Sequence, residues 1–339
     1  MPESSPLVEA QKKFAASIPF RSLKAVSMNV DQALKQVTAE DIKAPGDAPP
    51  YPRAIVEGFL VACEHTKEAS EVNPITFKVK GNIEPGDKSC PLPGKNEGIQ
   101  VATGSIVHQG QYAIVRMWDA EIGEGEFTIK RPFPPNFFIE EQGCDIKAGT
   151  VVVPKGQRLT PEDIGNLASI GLTSVKVMRI PEVSLFASGD EVIPHTKKLQ
   201  PGQIRDCNTP MLYAALQGSG AIPHPQGIMK DDFDAFVAAV KTRLAKDDMV
   251  VIAGGTAVGG RDFVSDLIKE VGELIIDGVP MRSGRPLIMG VAKGKPIICV
   301  AGHPPEALRG FRLFGVAALN RLVGIDAPLP MDASPQGGK

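Results

Sequence analysis

The sequence of 339 residues predicts an α/β protein in which a parallel-sheet domain is joined to a separate small β domain. Three observations lead to this prediction. Apolar runs in the second half of the chain alternate with helical patterns, which is typical of a parallel sheet built from βαβ units. The stretch before them is rich in short β segments separated by turn residues. The length is also sufficient for two or three domains.

The first part of the chain combines helical patterns with a small β domain. Helical patterns extend to about Ala48, most clearly over Asn29–Val37, where Asp31 suits the positive end of the helix dipole. The Pro-rich segment GDAPPYPRA predicts a domain boundary. From there to about Glu140, segments such as ITFKVKGNI, GIQVATG, QYAIVRMW and GEFTIKRPF lie between Gly, Pro and Asp turns. These segments predict the small β domain.

The stretch from Gly143 to Pro181 predicts a hairpin, then a helix and a short strand. The helix begins after Thr160, which suits an N-cap, and Pro161 suits the first helical position.

Three apolar runs predict buried strands in the last domain, and each run leads into a loop that contains glycine. The runs are Val183–Ala187, Met249–Ala253 and Pro296–Ala301. Ligands of parallel sheets bind beyond the carboxyl ends of the strands. The three loops are therefore predicted to line one crevice, which is a candidate ligand site.

The most informative loop is MVVIAGGTAVGGRD, from Met249 to Asp262. It joins a strand to a helical pattern that begins at Phe263, so it places bare backbone N–H groups at a helix N-terminus. Such an end suits a phosphate or another oxyanion. A tight turn that needs glycine only for positive φ explains the same residues. The loop alone leaves both interpretations open.

Composition excludes several classes of function. The net charge of −2 gives no basic surface for nucleic acid or an anionic membrane, and the aromatic content of 5% offers few stacking platforms. No apolar run approaches the ~20 residues of a membrane span. The N-terminus lacks the apolar core of a secretory signal. We expect a cytoplasmic protein with neither a nucleic-acid nor a membrane partner.

Cysteine and histidine usage gives no zinc or redox motif. The five cysteines are odd in number, widely spaced and form no CxxC pair, which fits a reducing compartment. The five histidines are equally dispersed, and only His303 falls in a predicted crevice loop.

Ordered motifs over nearly the whole chain resemble the molybdopterin molybdenumtransferases, the MoeA and gephyrin E-domain family. The motifs, in chain order, are RSLKAVSMNVDQAL, DIKAPGDAPPYPRAIVEGF, ATGSIVHQGQYAIV, GCDIKAGTVVVPKGQRLTPEDIGNLASIG, ASGDEV, LQPGQIRDCNTPML, GIMKDDFDAF, GGTAVGGRDFV, MRSGRPLIMG and AGHPPEA.

The resemblance implies a domain organisation. We expect an elongated helix and hairpin domain over residues 1–48 with 143–180, a small β domain over 49–142, and a tail over 326–339. Residues 181–325 would form a three-layer domain of the molybdopterin-binding type around a parallel or mixed sheet. The chain stops about where the family's C-terminal β-barrel domain would begin.

The resemblance also implies an activity. Members of the family take adenylylated molybdopterin, release AMP and insert molybdate into the dithiolene of the pterin, and tungstate shares the charge and shape of that oxyanion. A divalent cation, Mg²⁺, takes part, and a homodimer builds the cleft from both subunits. Carboxylates would hold Mg²⁺ through hard oxygen ligands, and the cation offsets charge on the pyrophosphate.

The resemblance, carried over residue by residue, and the glycine loops with their charges together predict three sets of site residues. The catalytic set is Thr103, Asp145, Glu191 and Asp262, and the metal set is Glu57, Glu191 and Asp262. The ligand-binding set is Gly254, Gly255, Gly259, Asp232, Arg282, Arg285, Gly302 and Pro304.

Several of these residues have a structural alternative. Asp232 and Asp262 are placed to cap helices, and Thr103 with Gly104 is consistent with a hairpin turn. Arg282 and Arg285 suit bidentate phosphate binding, or they are solvated loop charges. Glu191 has no evident capping role after its strand.

Departures from the family pattern leave a second function open. Ala257 occupies a position where the family has serine, and Gly260 one where it has an acidic residue. Cys144 and Trp118 occupy positions where the family has glutamate. The changes at Ala257, Gly260 and Cys144 favour a paralogue that binds molybdopterin or its nucleotide without inserting metal. The retained Thr103, Glu191 and Asp262 favour the enzyme. A related pterin- or nucleotide-processing activity is a third alternative, because a fold does not fix a function.

Overall fold

A computed structural model describes residues 6–230, 232–255, 263–279 and 285–329. The helices are α1 (Pro6–Ser17), α2 (Pro161–Ser169), α3 (Asn208–Gly218), α4 (Phe233–Leu244), α5 (Phe263–Val271), α6 (Pro304–Gly310) and α7 (Val316–Val323). A π-helical turn, Phe311–Gly315, joins α6 to α7.

The strands of the first half of the chain are β1 (Ala25–Asn29), β2 (Ile42–Lys43), β3 (Arg53–Ala54), β4 (Gly58–Ala62), β5 (Ile75–Ile83), β6 (Glu97–Val101), β7 (Tyr112–Arg116), β8 (Glu121–Ile122), β9 (Glu126–Ile129), β10 (Ile139–Glu140) and β11 (Val151–Val153). Those of the second half are β12 (Ser174–Met178), β13 (Glu182–Ser188), β14 (Val192–Ile193), β15 (Ile204–Arg205), β16 (Ile222–Met229), β17 (Met249–Ala253), β18 (Glu273–Asp277), β19 (Ile288–Ala292) and β20 (Lys295–Val300).

The chain divides into two compact units. Unit 1 comprises Met1–Glu40, Lys155–Thr160 and Ser174–Lys339, and unit 2 comprises Asp41–Pro154 and Pro161–Thr173. The four-part layout predicted from the sequence stays a prediction.

Unit 1 is built on a six-stranded mixed sheet in the order β16-β13-β17-β20-β19-β18. The first four strands are parallel, and β19 and β18 continue the sheet in antiparallel fashion. The central strand β17 is buried at every residue, as expected for a parallel strand that is covered on both faces.

Helices pack on both faces of this sheet. Phe14 of α1 and Leu212 of α3 join one buried cluster with Phe314 of the π-helical turn. Phe236 of α4 and Val264 of α5 belong to the opposite cluster. Helices are therefore the outer layers and the sheet is the middle layer of unit 1.

Unit 2 contains the predicted β-rich region. Its main sheet has the order β7-β4-β6-β5-β9-β8, and only the β5–β6 pair is parallel. The rings of Phe59 and Phe77 stack on Phe127 with centroids 4.0 and 5.3 Å away. These aromatic contacts lie in one of two apolar clusters of the unit.

Most of the predicted elements are confirmed, including α2 after Thr160 and the three buried strands β13, β17 and β20. The helix predicted over Asn29–Val37 is wrong, since only Val30–Gln32 forms a 3-10 turn. The backbone N–H of Lys35, at φ +66°, instead donates to the carbonyl of Leu159. A non-local pairing therefore replaces the local helix.

The local hairpin predicted after Gly143 is also wrong. Strand β11 pairs antiparallel with β2, more than a hundred residues earlier in the chain. A sequence pattern identifies a strand but not its partner.

Candidate functional site

Three parallel strands of unit 1 end at the same level. Ala187 of β13 lies opposite Ala253 of β17, and Ala253 lies opposite Val300 of β20. The loops that follow these strands therefore begin side by side, as predicted from the three apolar runs. The carboxyl edge of these strands, with the residues that immediately follow, is called the sheet edge below.

Glycine allows the loop after β17 to approach the end of β13 closely. A Cβ on Gly254, at φ +90°, would lie 2.8 Å from the carbonyl oxygen of Ser188. On Gly255, at φ +76°, it would lie 3.0 Å from the Ser188 hydroxyl oxygen. A side chain at either position would collide with β13, so the sheet edge requires bare backbone here.

One buried side chain at the sheet edge and one that contacts this edge have unsatisfied polar atoms. Ser188 is 5% exposed, and its Oγ has no hydrogen-bond partner in the described part of the chain. Asn208, at the start of α3, donates from Nδ2 to the Gly302 carbonyl over 2.7 Å. Its Oδ1 is also buried without a partner among the described residues.

Such atoms are uncommon because an unsatisfied buried polar group costs about 1–3 kcal/mol. Ser188 and Asn208 are not among the site residues predicted from the sequence. The sequence carries no distinct signal for Ser188, since the strand that it ends also contains Glu182 and Ser184.

Glu191 lies on a turn that leaves β13. A Cβ on Gly189, at φ +139°, would lie 2.8 Å from one carboxylate oxygen of Glu191 and 3.0 Å from the other. Lys230 donates from Nζ to the Asp190 carbonyl over 2.9 Å, which ties the turn to the end of β16. The Glu191 side chain is exposed and forms no ion pair with any residue that the structure describes.

Asp232 and Arg285 both have structural partners. Asp232 is the N-cap of α4, and its carboxylate accepts a 3.0 Å hydrogen bond from the Ala235 N–H. Arg285 donates to the carbonyls of Asp277 and Gly278 over 3.3 and 2.8 Å. Both side chains are exposed, so each retains a solvent-facing portion.

The remaining predicted ligand residues of unit 1 are only partly described. Gly302 lies near Gly254, since a Cβ on Gly302 would be 3.9 Å from the Gly254 Cα. Pro304 is the first residue of α6, where a missing N–H has no consequence. Gly259, Asp262 and Arg282 lie outside the described residues.

The predicted residues of unit 2 are all exposed. Glu57 precedes β4, and Thr103 forms a turn in which the Gly104 N–H donates to the Ala54 carbonyl over 2.7 Å. Because each unit is described by itself, Glu57 and Thr103 are placed within unit 2 only.

Asp145 belongs to a small cluster with Glu140 and Cys144, whose potential metal-ligating atoms lie within 4.8 Å of one another. Arg53 forms an ion pair with Glu140. Partial desolvation and the negative charges of Asp145 and Glu140 raise the pKa of the Cys144 thiol. The thiol is therefore neutral at neutral pH, whereas thiolate is the form that binds metals.

Cys299 on β20 is an inert core thiol. It is fully buried, its Sγ lies 3.2 Å from the Gly254 carbonyl, and burial raises its pKa to about 12. Among the described helices, none is long and apolar enough to cross a membrane.

Comparison with family models covers most of the chain. Residues 5–171 match the MoeA N-terminal region, domains I and II, and residues 184–321 match a probable molybdopterin-binding domain.

Named relatives extend the match across both regions. The chain is 33% identical over 304 residues to a molybdopterin molybdenumtransferase of Staphylococcus aureus (strain Mu50), covering 89% of this chain and 73% of that protein. It is 32% identical to a molybdopterin molybdenumtransferase of Staphylococcus epidermidis (strain RP62A), covering 91% and 74%.

A solved structure shares the fold. The molybdopterin biosynthesis MoeA protein from Pyrococcus horikosii aligns with a TM-score of 0.79 at 33% identity, over 96% of this chain and 81% of that chain. The mixed α/β fold is thereby confirmed.

Proposed function

Because the chain belongs to the molybdopterin molybdenumtransferase family and acts in molybdenum cofactor biosynthesis, we propose that it inserts molybdate or tungstate into adenylylated molybdopterin. Hydrolysis of the phosphoanhydride bond releases AMP. The two dithiolene sulfurs replace one oxo ligand of the oxyanion, and that oxygen leaves as water with the two thiol protons. No electron is transferred in this exchange.

The observation that carries the proposal is the convergence of backbone and unsatisfied polar atoms at the sheet edge. Gly254 and Gly255 pack against Ser188 without side chains, and the Gly254 N–H donates to the Val300 carbonyl. Ser188 Oγ and Asn208 Oδ1 have no partner in the described chain. Backbone N–H groups and a hydroxyl donate to phosphate oxygens, and an amide oxygen accepts from a protonated group. The sheet edge is thus suited to an oxyanion ligand.

Glu191 is the residue that we expect to hold Mg²⁺. Its carboxylate is exposed beside the sheet edge and is held over Gly189, and it has no cationic partner among the described residues. Mg²⁺ is usually bound by one or two carboxylates together with water and substrate phosphates. One free carboxylate therefore fits the ion, which when bound screens charge on the phosphates and on the oxyanion.

The other predicted acids have less direct support. Asp262 lies outside the described residues, and Glu57 is placed only within unit 2. Asp145 shares its cluster with a neutral thiol, which is a poor ligand for a hard cation. We propose Glu191 as the principal metal ligand, with Asp262 and Glu57 as further ones. Asp145 and Thr103 would complete the catalytic set, in a cytoplasmic homodimer.

An insertion assay tests the function. The full chain is incubated with adenylylated molybdopterin, molybdate and Mg²⁺, and both released AMP and pterin-bound molybdenum are measured. We expect AMP and loaded cofactor in equal amounts. Binding of the pterin nucleotide with neither product would overturn the enzyme proposal and identify the binding paralogue.

A further inference from the structure

Beside the sheet edge, unit 1 contains a cleft of about 710 Å³ that is separate from Ser188 and Asn208. One wall is formed by Thr209, Pro210 and Tyr213 of α3, and another by Pro225 and Ile228 of β16. The volume falls within the usual range of ligand sites, which are mostly apolar with a few placed polar groups. Proline rings and a tyrosine ring offer flat apolar contacts to a planar ligand.

The cleft adjoins the turn that carries Glu191. Val192 and Ile193, which follow Glu191 directly, line the cleft, as does Lys230, which holds the Asp190 carbonyl. A ligand whose ring occupied the cleft could therefore extend its phosphate toward Glu191 and the sheet edge.

One carboxylate is built into the cleft. Asp206 lines it, is only 9% exposed, and is held by a hydrogen bond from its own N–H to the Ile193 carbonyl over 2.8 Å. Its Oδ1 accepts from the Thr209 N–H over 3.0 Å, which satisfies one donor at the start of α3. Oδ2 accepts no hydrogen bond from any described residue.

The next polar group of the cleft is also unsatisfied. Thr209 Oγ1 is buried and has no hydrogen-bond partner in the described chain. Because a buried hydroxyl without a partner is costly, its position beside Asp206 indicates that a ligand supplies the missing contact.

We propose that this cleft binds the 2-amino-4-oxopyrimidine edge of a pterin ring, with Asp206 as its recognition residue. That edge presents two donors side by side, the ring N3–H and the 2-amino group, and an ionised carboxylate is an acceptor with two oxygens. Adenine instead presents one amino donor next to a ring nitrogen lone pair, which repels a carboxylate. The cleft therefore selects the pterin end of the substrate and leaves the adenylyl end outside it. This inference rests on the proposed function, since it assigns one part of that substrate.

Free pterin (2-amino-4-oxopteridine) and adenosine serve as probes for the full chain, with titration calorimetry as the measurement. We expect pterin to bind at least about tenfold more tightly than adenosine, because a site built for a donor pair rejects an analogue that lacks it. The variant Asp206→Asn keeps the cap on Thr209 but replaces one acceptor by a donor. It should weaken pterin binding about tenfold or more and change adenosine binding less than about twofold.

Thr209→Val removes the unsatisfied hydroxyl and keeps the shape. It should weaken pterin binding about threefold or more, without loss of stability, because no protein hydrogen bond is broken. Asp266→Asn on α5 and Thr242→Val on α4 are matched controls, since both residues are exposed and do not line the cleft. Both should bind pterin as the parent does.

Three results would overturn the cleft assignment: no pterin binding to the parent, parental pterin affinity in Asp206→Asn, or a loss of adenosine binding alone in that variant. The insertion assay separates this outcome from failure of the proposed function. If the parent releases AMP while Asp206→Asn binds pterin normally, the proposed function stands and the cleft assignment is wrong. If the parent binds pterin through Asp206 but releases no AMP, the cleft assignment stands and the proposed function is wrong.

Discussion

Ser188 shows how a single residue can separate ligand binding from stability. Its Oγ is buried and makes no hydrogen bond to the described chain, so its removal breaks no protein contact. We expect Ser188→Ala to unfold at the same temperature as the parent or slightly higher, because the desolvation cost of the hydroxyl is removed. Affinity for AMP should fall about tenfold, about 1.4 kcal/mol, if the hydroxyl donates to phosphate.

Thermal unfolding and AMP titration on the same samples test this prediction. Ser265→Ala is a contrasting variant, since the buried Ser265 hydroxyl bonds to Asp277 over 2.7 Å and its loss should lower stability. Parental AMP affinity in Ser188→Ala would remove this serine from the site.

The variant Glu191→Gln tests whether this single residue holds Mg²⁺. The exposed side chain has no ion-pair partner in the described chain, so the change should leave the free energy of unfolding nearly unaltered. AMP release in the insertion assay should fall by roughly 10² or more, as expected when an electrostatic contact to the transition state is lost. The apparent Mg²⁺ requirement should rise as well.

Glu124→Gln is the matched control, because Glu124 is an exposed turn residue of unit 2. Turnover by Glu191→Gln at the parental rate, with the parental Mg²⁺ dependence, would show that the cation is held elsewhere.

Residue types alone could not distinguish a ligand contact from a structural one. The acidic residue before α4 was consistent with a cap or a ligand, and the structure gives Asp232 the cap bond. For Arg285 the sequence left both a phosphate contact and a solvated loop charge open, and it gave no sign of the hydrogen bonds to two carbonyls. Ser188, Asn208 and Asp206 were missed because their significance depends on burial and on neighbours that are distant in sequence.

At the scale of elements, the segment after β7 is held by a charge network. Arg116 donates to the Asp119 carboxylate over 2.6 Å, and Arg131 lies 3.1 Å from the same group. The hydrogen bond from Arg116, with a further one from Arg131, lowers the pKa of Asp119. The Arg116 guanidinium also lies 5.1 Å from the centroid of the Trp118 ring.

This network predicts an acid-sensitive contribution to stability. A carboxylate with a lowered pKa in the folded state stabilises it above the unfolded pKa of about 4, and the contribution disappears as the pH falls through the folded pKa. The parent should therefore be more stable than Asp119→Asn at neutral pH, and the difference should shrink below about pH 4. Urea unfolding followed by fluorescence of Trp118, the only tryptophan, measures this difference.

Glu124→Gln again provides the control, because no ion pair of Glu124 exists within the described residues. A stability difference between parent and Asp119→Asn that stays constant from neutral to acidic pH would contradict the prediction.

Elements were predicted well where they are deeply buried and where their partners lie close along the chain. Strands β13, β17 and β20 are apolar and almost wholly buried, so the sequence predicted them to within a residue or two. Edge strand β16 was predicted only as a short apolar segment, because Pro223, Pro225 and Gly227 are uncommon inside strands. The predicted helix over Asn29–Val37 failed because its residues pair with the distant segment Gln157–Leu159.

At the scale of the whole molecule, the proposed homodimer is directly testable. Family resemblance predicts a cleft built from both subunits, and interfaces of this obligate kind bury on the order of 2,000 Å² or more. Light scattering at micromolar concentration should give twice the 36.0 kDa mass of one chain. A monomer mass that persists while the insertion assay is active would exclude a shared cleft.

The fold class was predictable as a whole, whereas the four-part division of the chain stays a prediction. Alternation of strands and helices identified the mixed α/β architecture, which the comparison with solved structures confirms. The chain passes from one compact unit to the other near residues 40, 154, 160 and 173, where no strong composition change occurs. Boundaries of this kind depend on three-dimensional contacts, for which a linear pattern has no signal.

The position of α1 has a consequence for the order in which unit 1 can be completed on the ribosome. Gln11 of α1 donates to the Leu313 carbonyl over 3.0 Å, and Phe14 packs against Phe314 at 6.4 Å between ring centroids. The helix therefore emerges about three hundred residues before its partners, which at 5–20 residues per second is roughly 15–60 seconds. During that interval the Phe14 face of the nascent helix has no native partner among residues 313–314, so the packing of this helix is completed only after those residues have been synthesised.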